Sequence, residues 1–181
     1  MATKFNARGA VRRRTALRDE FWADVPRWTG PAEVGYFCAP RTLPLILQAL
    51  KDKRVSGSKD PGPVYIDLLA AHRGEGVVEL SHSEEHAAAA GYSGPKSWRE
   101  RMAILQEVGF IKVLTTPQGA YSKVLLVHPA VAMEGLWSHG RISEGIWQAY
   151  RTRAIEALEP SPDEIRARDR TAPEVSLPVE G

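Results

Sequence analysis

The feature that most limits how this chain can fold is the punctuation of residues 95–127. Pro95 can open a helix, because the first turn has no use for its missing N–H, and Gly109 supplies a natural C-terminal stop. Between them Trp98, Met102, Leu105 and Val108 fall at i, i+4, i+7 and i+10, one face of a helix over 95–108. Two runs rich in β-branched residues follow at once, 110–115 and 121–127. The segment 116–120, Thr-Pro-Gln-Gly-Ala, carries turn residues between them, and Pro129 stops the second run. One apolar helix face leading directly into a hairpin demands a shared core for both. Hydrophobic residues at 43% and charged residues at 25% argue against a wholly disordered or fibrous chain.

The residues upstream supply further elements. Asp60, Pro61 and Pro63 start a helix over 63–73 with Tyr65, Leu68, Leu69 and His72 as its stripe, and Gly74 and Gly76 end it. Val77, Val78, Glu79 and Leu80 read as a very short strand. Residues 81–90 read as an Ala-rich helix capped by Ser81 or Ser83, with Glu84 and Glu85 in its first turn, followed by the turn Gly91-Tyr92-Ser93-Gly94. Small alanines at 87–90 would let this helix approach the next closely. Earlier, Thr42 is a candidate N-cap for a helix in which Leu43, Ile46, Leu47 and Leu50 share a face, and 55–62 reads as a Ser/Gly/Pro linker. Residues 129–158 read as helical but broken at Gly135 and Gly140, with Trp147, Tyr150, Ala154 and Leu158 on one face.

In order, residues 61–128 read helix, short strand, helix, tight turn, helix, strand, turn, strand. The central motif is Ser83-Glu84-Glu85-His86-Ala87-Ala88-Ala89-Ala90-Gly91-Tyr92, the turn Ser93-Gly94, then Pro95-Lys96-Ser97-Trp98-Arg99-Glu100-Arg101-Met102. This arrangement resembles the winged helix-turn-helix superfamily of DNA-binding domains. The resemblance implies a mainly α fold with a small β-hairpin: a winged helix-turn-helix core with extra N- and C-terminal helices. It implies a sequence-specific double-stranded DNA-binding protein, a transcriptional regulator of bacterial type, with helix 95–108 in the major groove. Lys96, Ser97, Arg99 and Glu100 would face the groove, with Ser93 and Arg101 beside them. The hairpin 111–127 would be the wing, with Gln118, Gly119, Tyr121, Ser122 and Lys123 at its contacts and Lys123 as the phosphate partner. Two neighbouring assignments stay open: a replication or partition factor of a mobile element, and a winged-helix protein-interaction module without DNA affinity.

The charge distribution bears on this. The whole chain carries 24 Lys+Arg against 22 Asp+Glu, a formal +2. Residues 1–18 hold Lys4, Arg8, Arg12, Arg13, Arg14 and Arg18 with no acid, a candidate flexible basic arm. Residues 19–60 form an N-terminal helical extension, whose aromatics Phe21, Trp22, Trp28, Tyr36 and Phe37 are expected on the core. Residues 159–181 carry −3 and four prolines and read as a disordered acidic tail, with a helical turn near 163–168. The apolar surface of 129–158, with Trp137, Ile146, Trp147 and Tyr150, exceeds what a small winged helix needs, so a homodimer is expected. The arginines of 1–14 are followed by no apolar run, and Leu43 to Leu50 is too short to span a bilayer, so no secretory signal and no membrane partner are expected. The lone Cys38 cannot form an internal disulfide, and the expected compartment is the cytoplasm.

One competing motif is present. His82-Ser83-Glu84-Glu85-His86 fits H-x-x-E-H, a zinc-peptidase pattern that places two histidines at i, i+4. The helix is short, begins at or beside His82, and runs into alanines. An exposed His82 and a half-buried His86 is the preferred reading. His72, on an apolar helix face, is read as a hydrogen-bonded core or boundary residue and Cys38 as a small buried hydrophobe. No Gly-rich phosphate loop and no Gly-x-Ser-x-Gly elbow occur. No catalytic residue, metal or cofactor is expected, and the chain is not expected to be an enzyme.

Overall fold

The structure, a computed structural model, describes residues 38–72, 76–80, 82–117 and 119–171. The chain divides into Met1–Tyr36 and Phe37–Gly181, and the described residues belong to the second unit. The basic arm, the aromatics from Phe21 to Phe37, Arg73 to Glu75, Ser81, Gln118 and residues 172–181 therefore lie outside the described residues.

Eight helices and three strands occur among the described residues. The first helices are α1 (Leu43–Leu50), α2 (Lys53–Ser56) and α3 (Gly62–Ala71), followed by β1 (Val77–Glu79), α4 (Ser83–Ala89) and α5 (Pro95–Glu107). Then come β2 (Ile111–Thr116), β3 (Gly119–Leu126), α6 (Pro129–Ser138), α7 (Glu144–Ala157) and α8 (Pro162–Thr171). The protein is mainly helical with a small antiparallel sheet. None of these helices is long and apolar enough to cross a membrane.

One core runs through the described unit. Ile46, Ala49 and Leu50 of α1 share it with Val64, Tyr65 and Leu68 of α3, Trp98, Met102 and Leu105 of α5, and Trp147 and Tyr150 of α7. The helix before residue 60 is therefore part of the core and not an appendage. Thr42 occupies the N-cap of α1 but does not cap with its side chain. Its hydroxyl donates to Glu159 Oε2 at 2.8 Å and its N–H to Oε1 at 3.2 Å, so a carboxylate remote in sequence sits at the helix N-terminus. A separate short helix, α2, follows α1 and takes up Val55 and Ser56 of the expected linker; Asp52 caps it by accepting from Arg54 N–H.

The sheet has the order β1-β3-β2, so the hairpin is joined by a third strand. Val78 pairs with Val124, which also pairs with Val113. Val78, Ile111 and Val124 are buried, while Val77, Glu79, Lys112, Leu114, Lys123 and Leu125 are exposed, as a period of two requires. The hairpin turn is tighter than the sequence suggests. Thr116 pairs with Gly119 after an irregularity between Leu114 and Thr116, leaving only residues 117–118 between the strands.

Four further departures have local causes. Gly135 lies inside α6, and the break falls at Gly140 alone, with φ +67°, before Ser143 caps α7 by accepting from Ile146 N–H. Leu158 does not join Trp147 and Tyr150: it ends α7 in the left-handed region and is 90% exposed. Only Ala87 and Ala90 of the alanine run are buried. The acidic tail begins with the helix α8, not a single turn. Ser161 and Glu164 form a reciprocal capping box, Ile165 is buried, and Arg166 pairs with Glu134 of α6.

Candidate nucleic-acid interface

Helix α5 is built from two faces. Trp98, Met102 and Leu105 are buried, as their spacing predicts. Lys96, Arg99, Ala103 and Gln106 are exposed on the opposite side. Gly109 closes the helix with φ +81°, a region that favours glycine, and allows Phe110 to turn back and donate its N–H to Leu105 O. The solvent face thus begins with two cations and continues with a small and an amide side chain. Sequence reasoning missed Ala103 and Gln106, although the same 3.6 period that found the core face places them with Lys96 and Arg99.

The expected groove-facing residues divide. Lys96 and Ser93 are exposed. Arg99 is exposed and donates from Nη2 to Ser83 Oγ at 3.3 Å, beside the exposed Glu84 and Glu85. Ser97 is half-buried and its carbonyl accepts from Arg101 Nη1 at 2.8 Å. Glu100 is paired with Lys59, Nζ to Oε2 at 3.1 Å. Arg101 does not share the exposed face. Its guanidinium lies 4.4 Å from the centre of the Tyr92 ring, a cation–π contact that fixes the turn before α5. Tyr92 in turn donates its hydroxyl to Asp60 O at 3.1 Å. Burial pushes the Tyr92 phenol up, against the opposing effect of the Arg101 charge.

Three of the expected wing residues lie away from the hairpin turn: Gly119 already pairs with Thr116 at the start of β3, so Tyr121, Ser122 and Lys123 lie in the body of the sheet. Tyr121 packs edge-on against Trp98, ring centres 5.8 Å apart, and burial raises its phenol. The Ser122 carbonyl accepts from Leu80 N–H at 2.9 Å, and Lys123 faces Glu79 across the β1–β3 ladder at 3.5 Å. Gln118, the remaining wing candidate, lies outside the described residues.

Both histidines of the H-x-x-E-H pattern have structural placements. His82 is exposed at the N-cap of α4 and makes no side-chain cap; Ser83 is the first residue of the helix and not its cap, and Ser81 lies outside the described residues. His86 is half-buried, with Nδ1 2.8 Å from Asp67 Oδ2 of α3 and its ring 6.3 Å from Trp98 at 27°. Among the described residues no group of three or more His, Cys, Asp or Glu could hold a metal ion. His72 lies just past the end of α3 and not on its face, where Nε2 accepts from Gly76 N–H at 2.9 Å. Cys38 is exposed, not buried.

The arrangement is a helix anchored at every contact except its solvent face. Trp98 is clasped by His86 and Tyr121, Tyr92 by Arg101, and Glu107 at the C-terminal end accepts from Arg141 Nη2 at 2.7 Å. A rigid helix with a cationic N-terminal half can present side chains to a polyanion without first ordering its backbone. No protein-family model, no curated protein and no solved structure matches this chain.

Proposed function

We propose that residues 62–126 form a winged helix-turn-helix domain that binds double-stranded DNA, with α5 as the recognition helix, and that the protein acts in the cytoplasm as a transcriptional regulator. The observation that carries this reading is the order α3-β1-α4-α5-β2-β3 together with an α5 whose solvent face begins with Lys96 and Arg99. Lys96 and Arg99 are the groove and phosphate contacts, Gln106 is a candidate base reader, and the β2–β3 hairpin takes the place of the wing. Glu100, paired with Lys59, and Arg101, spent on Tyr92, are positioning residues. Selection of bound fragments from a random DNA pool tests the reading. Enrichment of a defined sequence that Lys96→Ala/Arg99→Ala no longer retains supports it; a pool that stays random sinks it.

The homodimer belongs to the same reading, on part of the 129–158 surface that the sequence suggests. Trp147 and Tyr150 are buried within the protomer, Ile146 is half-buried, and Trp137 is exposed. Ile155, 69% exposed, and Leu158 remain at the end of α7 as the surface for a second copy. Two half-sites in the selected sequence would match such a pair.

One observation favours a protein-interaction role for the same domain. The outer face of the sheet exposes Val77, Leu114 and Leu125, with Leu114 61% exposed, and its Lys123 is offset by Glu79. Apolar side chains in a row on a sheet suit a protein surface better than a phosphate backbone. Binding of a protein that leaves DNA selection empty would favour this alternative.

A further inference from the structure

A cleft of about 560 Å³ opens between α6, α7 and α8, away from α5. Its wall is a ladder of three near-parallel rings. Trp137 stacks on Trp147 with centres 5.2 Å apart, and Trp147 on Tyr150 at 5.8 Å, both at 14°. The outermost ring, Trp137, is 40% exposed. It is also held in place: its indole N–H donates to Glu144 Oε2 at 2.7 Å, and the other oxygen of that carboxylate accepts from Gln148 at 2.6 Å. A large aromatic surface left open and fixed in orientation has already met the ordering cost of stacking a ligand.

Carboxylates predominate around it. Glu134, Glu159, Asp163 and Glu164 line the cleft against a single guanidinium, Arg151. Arg166 serves both Glu134 and Asp163; Glu159 binds the uncharged Thr42, and Glu164 binds Ser161 and also feels the charge of Arg168. Hydrogen bonds from Ser161 N–H and hydroxyl hold the Glu164 carboxyl below the usual range, so it stays ionised at neutral pH. The N-terminal dipole of α8 contributes only about half a positive charge. Counting Glu144 at the Trp137 indole, five carboxylates face the guanidinium groups of Arg151, Arg166 and Arg168, so negative charge predominates near the aromatic face; Arg151 itself lies 5.9 Å from the Trp147 ring centre, which shows that these rings accept a cation.

We propose that this cleft is a binding site for a planar organic cation, which stacks on Trp137 with its charge towards the Glu159–Glu164 rim. The volume suits a molecule of two or three fused rings, and apolar walls with a few convergent polar groups are the usual make-up of small-molecule sites. Anions are repelled by the rim, and a neutral ring of the same shape forfeits the charge term. The inference does not rest on the DNA-binding reading, since it uses no residue of α5 or the sheet.

The test uses the full chain without DNA, titrated with 1-methylquinolinium and, at the same alkaline pH, with neutral quinoline, followed by tryptophan fluorescence and calorimetry. The cation is expected to bind about tenfold more tightly than quinoline, to lose about tenfold in Trp137→Ala, and to be retained in Trp137→Phe. Asp163→Asn should weaken the cation and leave quinoline unchanged. Equal affinities for the two probes, an unaltered Trp137→Ala, or no binding at millimolar concentration would overturn the proposal. Conversion of a dimer to a monomer by Trp137→Ala in sedimentation, with no cation bound, would also overturn it and assign the cleft to a second copy. None of these outcomes alters the result of DNA selection, so the two readings fail separately.

Discussion

His86 Nδ1 lies 2.8 Å from Asp67 Oδ2, joining α4 to α3 across 19 residues, and the same imidazole stacks on Trp98 of α5. One side chain thus sets the mutual placement of the three helices that carry the candidate interface. Asp67→Ala leaves a half-buried imidazole without its partner, at a cost of about 1–3 kcal/mol. Thermal denaturation should show a midpoint lower by several degrees, and His86→Ala added to Asp67→Ala should cost less than the sum of the two alone. Strict additivity would show that the pair is not coupled.

Lys96→Ala and Arg99→Ala remove exposed cations and should leave the melting temperature unchanged. DNA affinity should fall, and the slope of log affinity against log salt should decrease by about one for each phosphate contact removed. Arg101→Ala should behave in the opposite way. Its guanidinium packs on Tyr92, so the main loss is in stability, seen in urea denaturation, with salt dependence little changed.

Trp98 is fully buried, and among the described residues its Nε1 has no hydrogen-bond partner. Trp98→Ala should lose about 3–5 kcal/mol and disrupt the unit. Trp98→Phe should be far milder, because it removes an unsatisfied N–H together with the lost volume. A urea series on both variants checks the order; a Phe variant as damaged as the Ala variant would show that the indole shape, not its burial, is what matters.

Stability should decline in alkali. Burial, aided by the Glu159 charge, pushes the Tyr150 phenol up to about 12, and burial raises Tyr65 as well. An unfolded phenol titrates near about 10, so the unfolded chain loses its proton first. The stabilising contribution is full below pH about 10 and is lost as pH rises through about 12. Urea midpoints measured across that window should fall, and Tyr150→Phe should flatten the decline. A midpoint independent of pH there would contradict the burial of both phenols.

Leu158→Glu places a charge on the 90% exposed leucine that ends α7. Sedimentation velocity should show a dimer in the parent and a monomer in the variant, with circular dichroism unchanged. A monomeric parent would remove the homodimer from the proposed function.

Much of the local structure was legible from the residues alone. The buried face of α5, its Pro95 start and Gly109 stop, the short strand at 77–80 and the existence of the hairpin all follow from periodicity and turn chemistry, which act within a few residues. The helix α8 was readable in principle, since Ser161-x-x-Glu164 is a capping box; the acidic, Pro-rich composition around it obscured the signal.

Side-chain partners were not legible in the same way. Nothing in the spacing of Thr42 and Glu159, Lys59 and Glu100, or Asp67 and His86 marks them as pairs, because each contact is made only once the helices have packed. Tertiary packing also sorted the cations of α5: it left Lys96 and Arg99 in solvent and folded Arg101 over Tyr92. The register of β2 on β3 moved the hairpin tip off Tyr121 and Lys123, since one turn residue more or fewer displaces every later contact along the strand. Local sequence therefore determined which segments are helix and strand and which helix faces are apolar. The three-dimensional arrangement alone decided which polar groups remain available to a partner, because availability is what is left after every nearer group has been satisfied.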